Sequence, residues 1–468
     1  MPKLMRCPYC GLLQDEPGGV KQCLRCGGGL EFEKPALPGK GATYLQVQLE
    51  LDQVAAPAGT NLERYLLLTI RTPETVPVGE AAPAGKPRPP LNFAPVLDVS
   101  GSMQGDKIVN AREAVRQAAR CLHEGDVFSL VTFSDKVASP FKPADVVAGT
   151  IATVEAALKE IAAGGMTALC GGLEMGIKNA LKHKKDANLV LLLSDGQANV
   201  GETDLERVGQ HALEARQKGL LVSTLGVGMD YNEALMTEIA SQGGGRFYHI
   251  ENAAMIPVFV AGELGEVAAL AARDCRLTLD LPAGATLVPL SAAYPVQQAG
   301  SQAVVSVGDI PCGTELEIPL RLALLAQPVG AKLSVEGRLE FRSPAGNALT
   351  HTVNRVTVRF VHKGEFQLRE GVVLPVAERV FTQMKAAGVL DFSRVRSHRP
   401  QEADQISKTI QENLFNYADL LGEERAGQEK HILHENLISF AASPAAAKQA
   451  VNNAFRTQRS SKDFDKKS

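Results

Sequence analysis

The stretch Phe93-Ala-Pro-Val-Leu-Asp-Val-Ser-Gly-Ser-Met103 decides how the middle of this chain is read. Its first residues are apolar enough for a strand, with Pro95 making the opening irregular. The run ends on Asp98, and two hydroxyls follow at Ser100 and Ser102. From Lys107 to His123, Ile108, Ala111, Val115, Ala118, Ala119 and Leu122 recur near helical spacing. Working outward, the same alternation continues. Strands are expected over 127–133, 188–194, 220–227 and 245–250, and helices over 154–162, 173–183, 205–218, 233–241 and 253–273. Continuous apolar strands separated by helices make a mainly parallel sheet covered on both faces. Residues 90–272 are therefore expected to form an α/β, doubly wound, Rossmann-like domain. In such a sheet the carboxyl end of a strand faces the crevice where ligands bind.

Two further segments point into that crevice. Gly164-Gly-Met-Thr-Ala-Leu169 sets Thr167 in a loop before a helix, and Leu193-Ser-Asp-Gly-Gln197 sets Asp195 at the end of an apolar strand. Carboxylates and hydroxyls are hard oxygen ligands, suited to a small hard cation, with Mg²⁺ preferred on octahedral grounds. Alone, Asp-x-Ser-x-Ser is weak, since Asp and Ser also serve turns and helix caps. The three segments in this order resemble the von Willebrand factor A (vWA) domain and its metal-ion-dependent adhesion site. The resemblance covers about residues 90–272. It implies that Ser100 and Ser102 bind Mg²⁺ (or Mn²⁺ or Ca²⁺) directly, that Thr167 does so directly or through water, and that Asp98 and Asp195 act mainly through water. It also implies one open position for an Asp or Glu side chain of a partner protein. Relatives that work beside AAA+ ATPases or kinase/phosphatase pairs imply a partner of that kind.

The N-terminus carries different chemistry. Cys7-Pro-Tyr-Cys10-Gly and Cys23-Leu-Arg-Cys26-Gly give two C-x-x-C pairs, each closed by glycine. Four thiolates at this spacing suit a closed tetrahedral Zn²⁺ site, and residues 1–33 resemble a zinc ribbon. The rivals are a redox pair or two disulfides, although no βα context follows either pair. Cys121, Cys170, Cys275 and Cys312 fall in helical or strand patterns and read as small buried hydrophobes.

Period-2 patterns flank the α/β domain. Residues 42–72 and 274–362 read as two parts of one all-β sandwich, into which the α/β domain is inserted. Segments 34–41 and 73–90, rich in Pro and Gly, read as linkers. Residues 366–456 are expected to be helical, over 372–387, 403–421 and 429–455, with an apolar stripe through Ile406, Ile410, Leu414, Tyr417 and Leu421 that packs on the sandwich. The last stretch, 457–468, reads as a disordered tail.

The 468 residues carry a net charge of −3 and no Trp, which gives neither a global pull toward nucleic acid or acidic membranes nor a good base-stacking surface. No uninterrupted apolar run approaches membrane-spanning length, and the opening residues show no signal-peptide pattern. The site lacks a neighbouring base or nucleophile: Ser102 fails G-x-S-x-G, Gly39-Lys40 lacks the Ser/Thr of a P-loop, and His431, His434 and Glu435 match no metalloprotease order. The expectation is a cytoplasmic, non-enzymatic adaptor that binds an acidic residue of a partner through Mg²⁺, with the ribbon as a docking module. A nucleic-acid-associated factor using the ribbon is the alternative, and Asp15, Glu16, Glu31 and Glu33 argue against it. A metal-dependent hydrolase at the same crevice is a third reading.

Overall fold

Every residue of Leu91–Asp98 (β1) is buried, as a strand covered on both faces must be. The structure, a computed structural model, describes residues 4–6, 13–15, 44–76 and 90–459, apart from the side chains of 4–6, 13–15, 268 and 433–442. Around β1 lie Val127–Phe133 (β2), Val137–Asp145 (β3), Ala187–Ser194 (β4), Leu221–Val227 (β5) and Gly244–Ile250 (β6). Their order is β3-β2-β1-β4-β5-β6, all parallel except β3, which runs antiparallel to β2. One face is covered by Asp106–Arg120 (α1), Thr150–Lys159 (α2) and, last in the domain, Ile256–Ala268 (α6). Leu169–Lys182 (α3), Leu205–Gln217 (α4) and Glu233–Gln242 (α5) cover the other. The sequence reading missed β3 because Pro140 and Pro143 interrupt it; as an edge strand it tolerates both.

The helix expected over 253–273 is shorter. After a 3₁₀ turn at Ala253–Met255 and α6, the strand Leu270–Asp280 already begins. The alanine-rich run favours helix, but Leu270 and Ala272 pair instead with Pro311 and Ile310. That strand belongs to a six-stranded sheet in the order 296–299, 302–311, 270–280, 332–342, 348–361, 55–57. A four-stranded sheet orders as 286–289, 315–324, 62–71, 46–51. Leu49, Leu68, Leu279, Val305, Ile318 and Leu339 from both sheets share one apolar cluster. Strand Leu62–Arg71 pairs along its length with Glu315–Leu324, so the chain leaves these sheets, builds the α/β domain and returns. The strands at 55–57, 286–289 and 296–299 were not read from the sequence; each is only three or four residues long.

Four helices follow: Leu374–His398 (α7), Ala403–Ala418 (α8), Glu423–Ala442 (α9) and Pro444–Arg459 (α10). The single helix expected over 429–455 is thus two, because Pro444 opens a new one. The helix also continues to Arg459, past the expected start of the tail; residues 460–468 lie outside the described residues. Val380 and Phe381 of α7 and Leu414 and Tyr417 of α8 cluster with Leu67 of the four-stranded sheet, as the stripe suggested. Helix α10 differs, because Ala447, Val451 and Phe455 join the α/β core, with Phe455 edge-on to Phe247 of β6 at 5.9 Å.

At the N-terminus, Leu4–Arg6 and Leu13–Asp15 pair antiparallel. Cys7, Cys10, Cys23 and Cys26 lie outside the described residues. No described helix is long and apolar enough to cross a membrane.

Candidate metal centre

Strands β1 and β4 are neighbours, and the chain winds away from them in opposite directions, toward β2 and β5. Their carboxyl ends therefore flank the crevice that a reversal of strand order creates. Asp98 ends β1 and Asp195 follows β4, both fully buried. The Asp98 carboxylate is tied down at both oxygens: Oδ1 accepts from Ser100 N at 2.8 Å and Oδ2 from Ser194 Oγ at 2.5 Å. Burial raises its pKa, opposed by the hydrogen bonds from Ser100 and Ser194 and reinforced by the nearby charge of Asp195.

Above Asp98 the hydroxyls converge. Ser102 Oγ donates to Asp195 Oδ1 at 2.7 Å and lies 3.1 Å from Ser100 Oγ. The other Asp195 oxygen meets the Lys107 ammonium, which reaches in from the first turn of α1. Thr167 arrives on the loop before α3, its N–H held by Asn199 Oδ1 at 2.8 Å. Gly196 lies between the Ser102 and Thr167 hydroxyls: a Cβ there would sit 3.3 Å from both Ser102 Oγ and Thr167 Oγ1.

The Thr167 loop is fixed by backbone bonds, from Gly101 N to Gly165 O at 2.9 Å, Gly164 N to Val99 O at 2.7 Å and Ala168 N to Ser134 O at 2.9 Å. Gly165 is required here. Its φ is +86°, and a Cβ would lie 2.5 Å from Asp135 Oδ2, the carboxylate whose other oxygen holds Met166 N.

All five residues read from the sequence thus meet in one crevice. Sequence reasoning missed Lys107, Ser194, Asn199 and Asp135, which support the site. Ser194 adjoins Asp195 and Lys107 is one residue into α1, so both had a positional signal; Asn199 and Asp135 had none. The donor set is hydroxyl and carboxylate oxygen throughout, with Lys107 its cationic neighbour. That set fits a hard divalent ion such as Mg²⁺. Of the cysteines expected to be buried, Cys170 and Cys275 are, whereas Cys121 is exposed at the end of α1 and Cys312 half-buried in a turn, where neither belongs to an apolar face.

The α/β domain is a von Willebrand factor type A domain: residues 94–260 match that family's model. Such domains mediate protein–protein interactions. The chain is similar to the uncharacterized protein YfbK of Escherichia coli, 27% identical over 254 residues, which are 53% of this chain and 42% of that protein. It is also similar to inter-alpha-trypsin inhibitor heavy chain H3 of Rattus norvegicus, 30% identical over 235 residues, 48% of this chain and 26% of the relative. The chain thus spans less than half the length of these curated relatives. Among solved structures, a von Willebrand factor type A protein from Catenulispora acidiphila matches with a TM-score of 0.63 and 16% identity, over 90% of this chain and 98% of that one. The ArnB paralog VWA2 from Sulfolobus acidocaldarius matches with a TM-score of 0.55 and 16% identity, over 89% and 99%. The fold of nearly the whole chain, sheets and helices included, therefore recurs in other proteins.

Proposed function

We propose that this chain is a non-enzymatic interaction protein that grips an acidic side chain of a partner protein through a Mg²⁺ ion in the β1/β4 crevice. Ser100, Ser102 and Thr167 would hold the ion, with Asp98 and Asp195 behind them, and Mn²⁺ or Ca²⁺ would be chemically acceptable substitutes. The observation that carries this reading is the convergence of Ser100, Ser102, Thr167 and Asp195 oxygens in one crevice, its floor buried and its Ser102 side open to solvent. The groups that would touch the ion directly, Ser100, Ser102 and Thr167, are neutral hydroxyls, and the two aspartates stand behind them, so the ion's inner shell would still favour a carboxylate from outside. In this reading the hydroxyls and carboxylates of the crevice serve the ion as ligands rather than as nucleophile or base.

Cys7, Cys10, Cys23 and Cys26 would bind Zn²⁺ and make the N-terminal segment a second docking module, on the strength of their spacing. The reading places the protein in the cytosol, where the thiols of Cys170 and Cys275 stay reduced. An AAA+ ATPase or a kinase/phosphatase pair is the partner class it carries.

The test is affinity capture of partners with the full chain, with and without chelator. Partners should be lost on chelation and in Asp98→Ala and Ser100→Ala. If both variants retain every partner, the crevice is not the docking site.

A further inference from the structure

Helices α3 and α4 cover the same face of the sheet. Cys170 lies in the first turn of α3 and Glu174 one turn on, so both present to the same side. His211 comes from α4. The Cys170 sulfur, a Glu174 oxygen and a His211 ring nitrogen all lie within 4.8 Å of one another. His211 Nε2 is 3.2 Å from Glu174 Oε1. The thiol is buried, the imidazole half-buried and the carboxylate exposed. A cleft of about 340 Å³ opens between the helices over Glu174 and His211.

We propose that Cys170, Glu174 and His211 form a second metal site, one that binds a thiophilic divalent cation of the Zn²⁺ class. Sulfur, nitrogen and oxygen together are a borderline-soft donor set, which Zn²⁺ takes and Mg²⁺ does not. Metal–ligand distances of about 2.0–2.3 Å separate tetrahedral ligands by roughly 3.3–3.8 Å, so small side-chain rotations close the present cluster on an ion. Water from the cleft completes the shell. Burial, with the negative charges of Glu174 and Glu202 added, pushes the Cys170 thiol up to about 11, so the sulfur stays protonated until a metal displaces the proton. Lys178 and Lys218, which also line the cleft, are the opposing charges. Binding forms the sulfur–metal bond as the thiol proton leaves to solvent, with no change of oxidation state.

The site would tie the first turn of α3 to α4. Cys170 lies three residues beyond Thr167, so the ion would also anchor the helix that follows the Thr167 loop. It stands apart from the Mg²⁺ reading, since Cys170, Glu174 and His211 are none of the residues named there.

The experiment strips the full-length reduced protein of metal and titrates it with Co²⁺, reading bound equivalents and the near-ultraviolet thiolate-to-cobalt band. Measurements run in excess Mg²⁺, so that the crevice does not contribute. Wild type should bind one equivalent more than His211→Gln and Cys170→Ser, and Cys121→Ser should match wild type. Equal stoichiometry and band in wild type and His211→Gln would overturn the proposal. His211 is half-exposed, so this variant decides the question even if Cys170→Ser fails to fold.

Discussion

Asp98 and Asp52 are both buried carboxylates, and the contrast between them separates a site from a strut. Asp98 is 0% exposed and Asp52 2%. Burial raises the pKa of both, that of Asp52 to about 6. Asp52 stands where the four-stranded sheet meets α8, and its oxygens are matched by donors: Tyr65 N at 2.9 Å and Tyr417 Oη at 3.1 Å. The neighbouring Arg64 is itself spent on the carbonyls of Ala55 and Glu63, at 2.6 and 2.8 Å. In the crevice, by contrast, the donors on Asp195 are the Ser102 hydroxyl, with Ser100 Oγ beside it, and the Lys107 ammonium, groups that can turn or withdraw and leave their oxygens to a cation. Burial alone does not mark function, because both carboxylates share it. Donors that can be withdrawn do, because the oxygens freed by a turning hydroxyl or a retreating ammonium can take a cation instead.

The sharpest way to break this contrast is to remove each carboxylate in turn. Asp98→Ala should lower Mg²⁺ affinity by about 100-fold, the upper end of what loss of an outer-sphere metal partner costs, and calorimetry measures it directly. Asp52→Ala should leave Mg²⁺ binding unchanged and lower folding stability by about 2 kcal/mol, because the Tyr65 amide and Tyr417 hydroxyl lose their acceptor. A tenfold loss of Mg²⁺ affinity in Asp52→Ala would erase the distinction. The pH response adds a second readout. Asp52 titrates near 6 when folded against an ordinary value of 3.8, so the folded state holds the proton more tightly between those limits. Its contribution to stability therefore falls as pH rises from about 4 to about 6 and is level above that. Denaturation midpoints across pH 4–7 should show this slope reduced in Asp52→Asn.

The crevice was legible in the sequence and the strut was not, for a physical reason. Asp98, Ser100 and Ser102 lie within five consecutive residues, and Thr167 and Asp195 each end a short segment of recognisable turn chemistry. Parallel-sheet topology then brings those segments to one edge. Asp52 and Tyr417 are 365 residues apart, and the Cys170 and His211 elements lie on separate helices, so no local pattern announced either pairing. The same limit explains the helix boundaries. Alanine-rich 268–273 has helical propensity, and pairing of Leu270 and Ala272 with a distant strand overrides it. Pro444, a purely local signal, marked a helix start that the continuous apolar pattern concealed.

Lys107 sharpens the contrast from the opposite side. Its ammonium is the one protein cation that the structure places on the crevice carboxylates, at Asp195 Oδ2, among the described residues. A unit charge a few ångströms from a divalent ion is strongly repelled in a partly buried site, so Lys107 must swing away when the ion binds. Lys107→Met should therefore raise Mg²⁺ affinity by about tenfold, equivalent to ~1.4 kcal/mol, the reverse of the Asp98 effect. Unchanged affinity would mean that Lys107 orients Asp195 as much as it competes with the ion.

The smallest expected effect tests the geometry of convergence itself. Gly196 lies outside the left-handed region, so Gly196→Ala carries no conformational penalty of the kind that Gly165, at φ +86°, would impose. What it adds is one methyl group 3.3 Å from both Ser102 Oγ and Thr167 Oγ1. That is tighter than normal carbon–oxygen contact, and the two hydroxyls can relieve it only by moving apart by tenths of an ångström. A small divalent ion demands near-ideal ligand spacing, whereas a larger ion with a flexible shell tolerates the shift. Gly196→Ala should therefore weaken Mg²⁺ binding by about threefold and Ca²⁺ binding less, with the thermal midpoint of the metal-free protein unchanged. An equal loss for both ions would show that the hydroxyls do not set the spacing. The selectivity of the crevice would then lie with Asp98 and Asp195 alone.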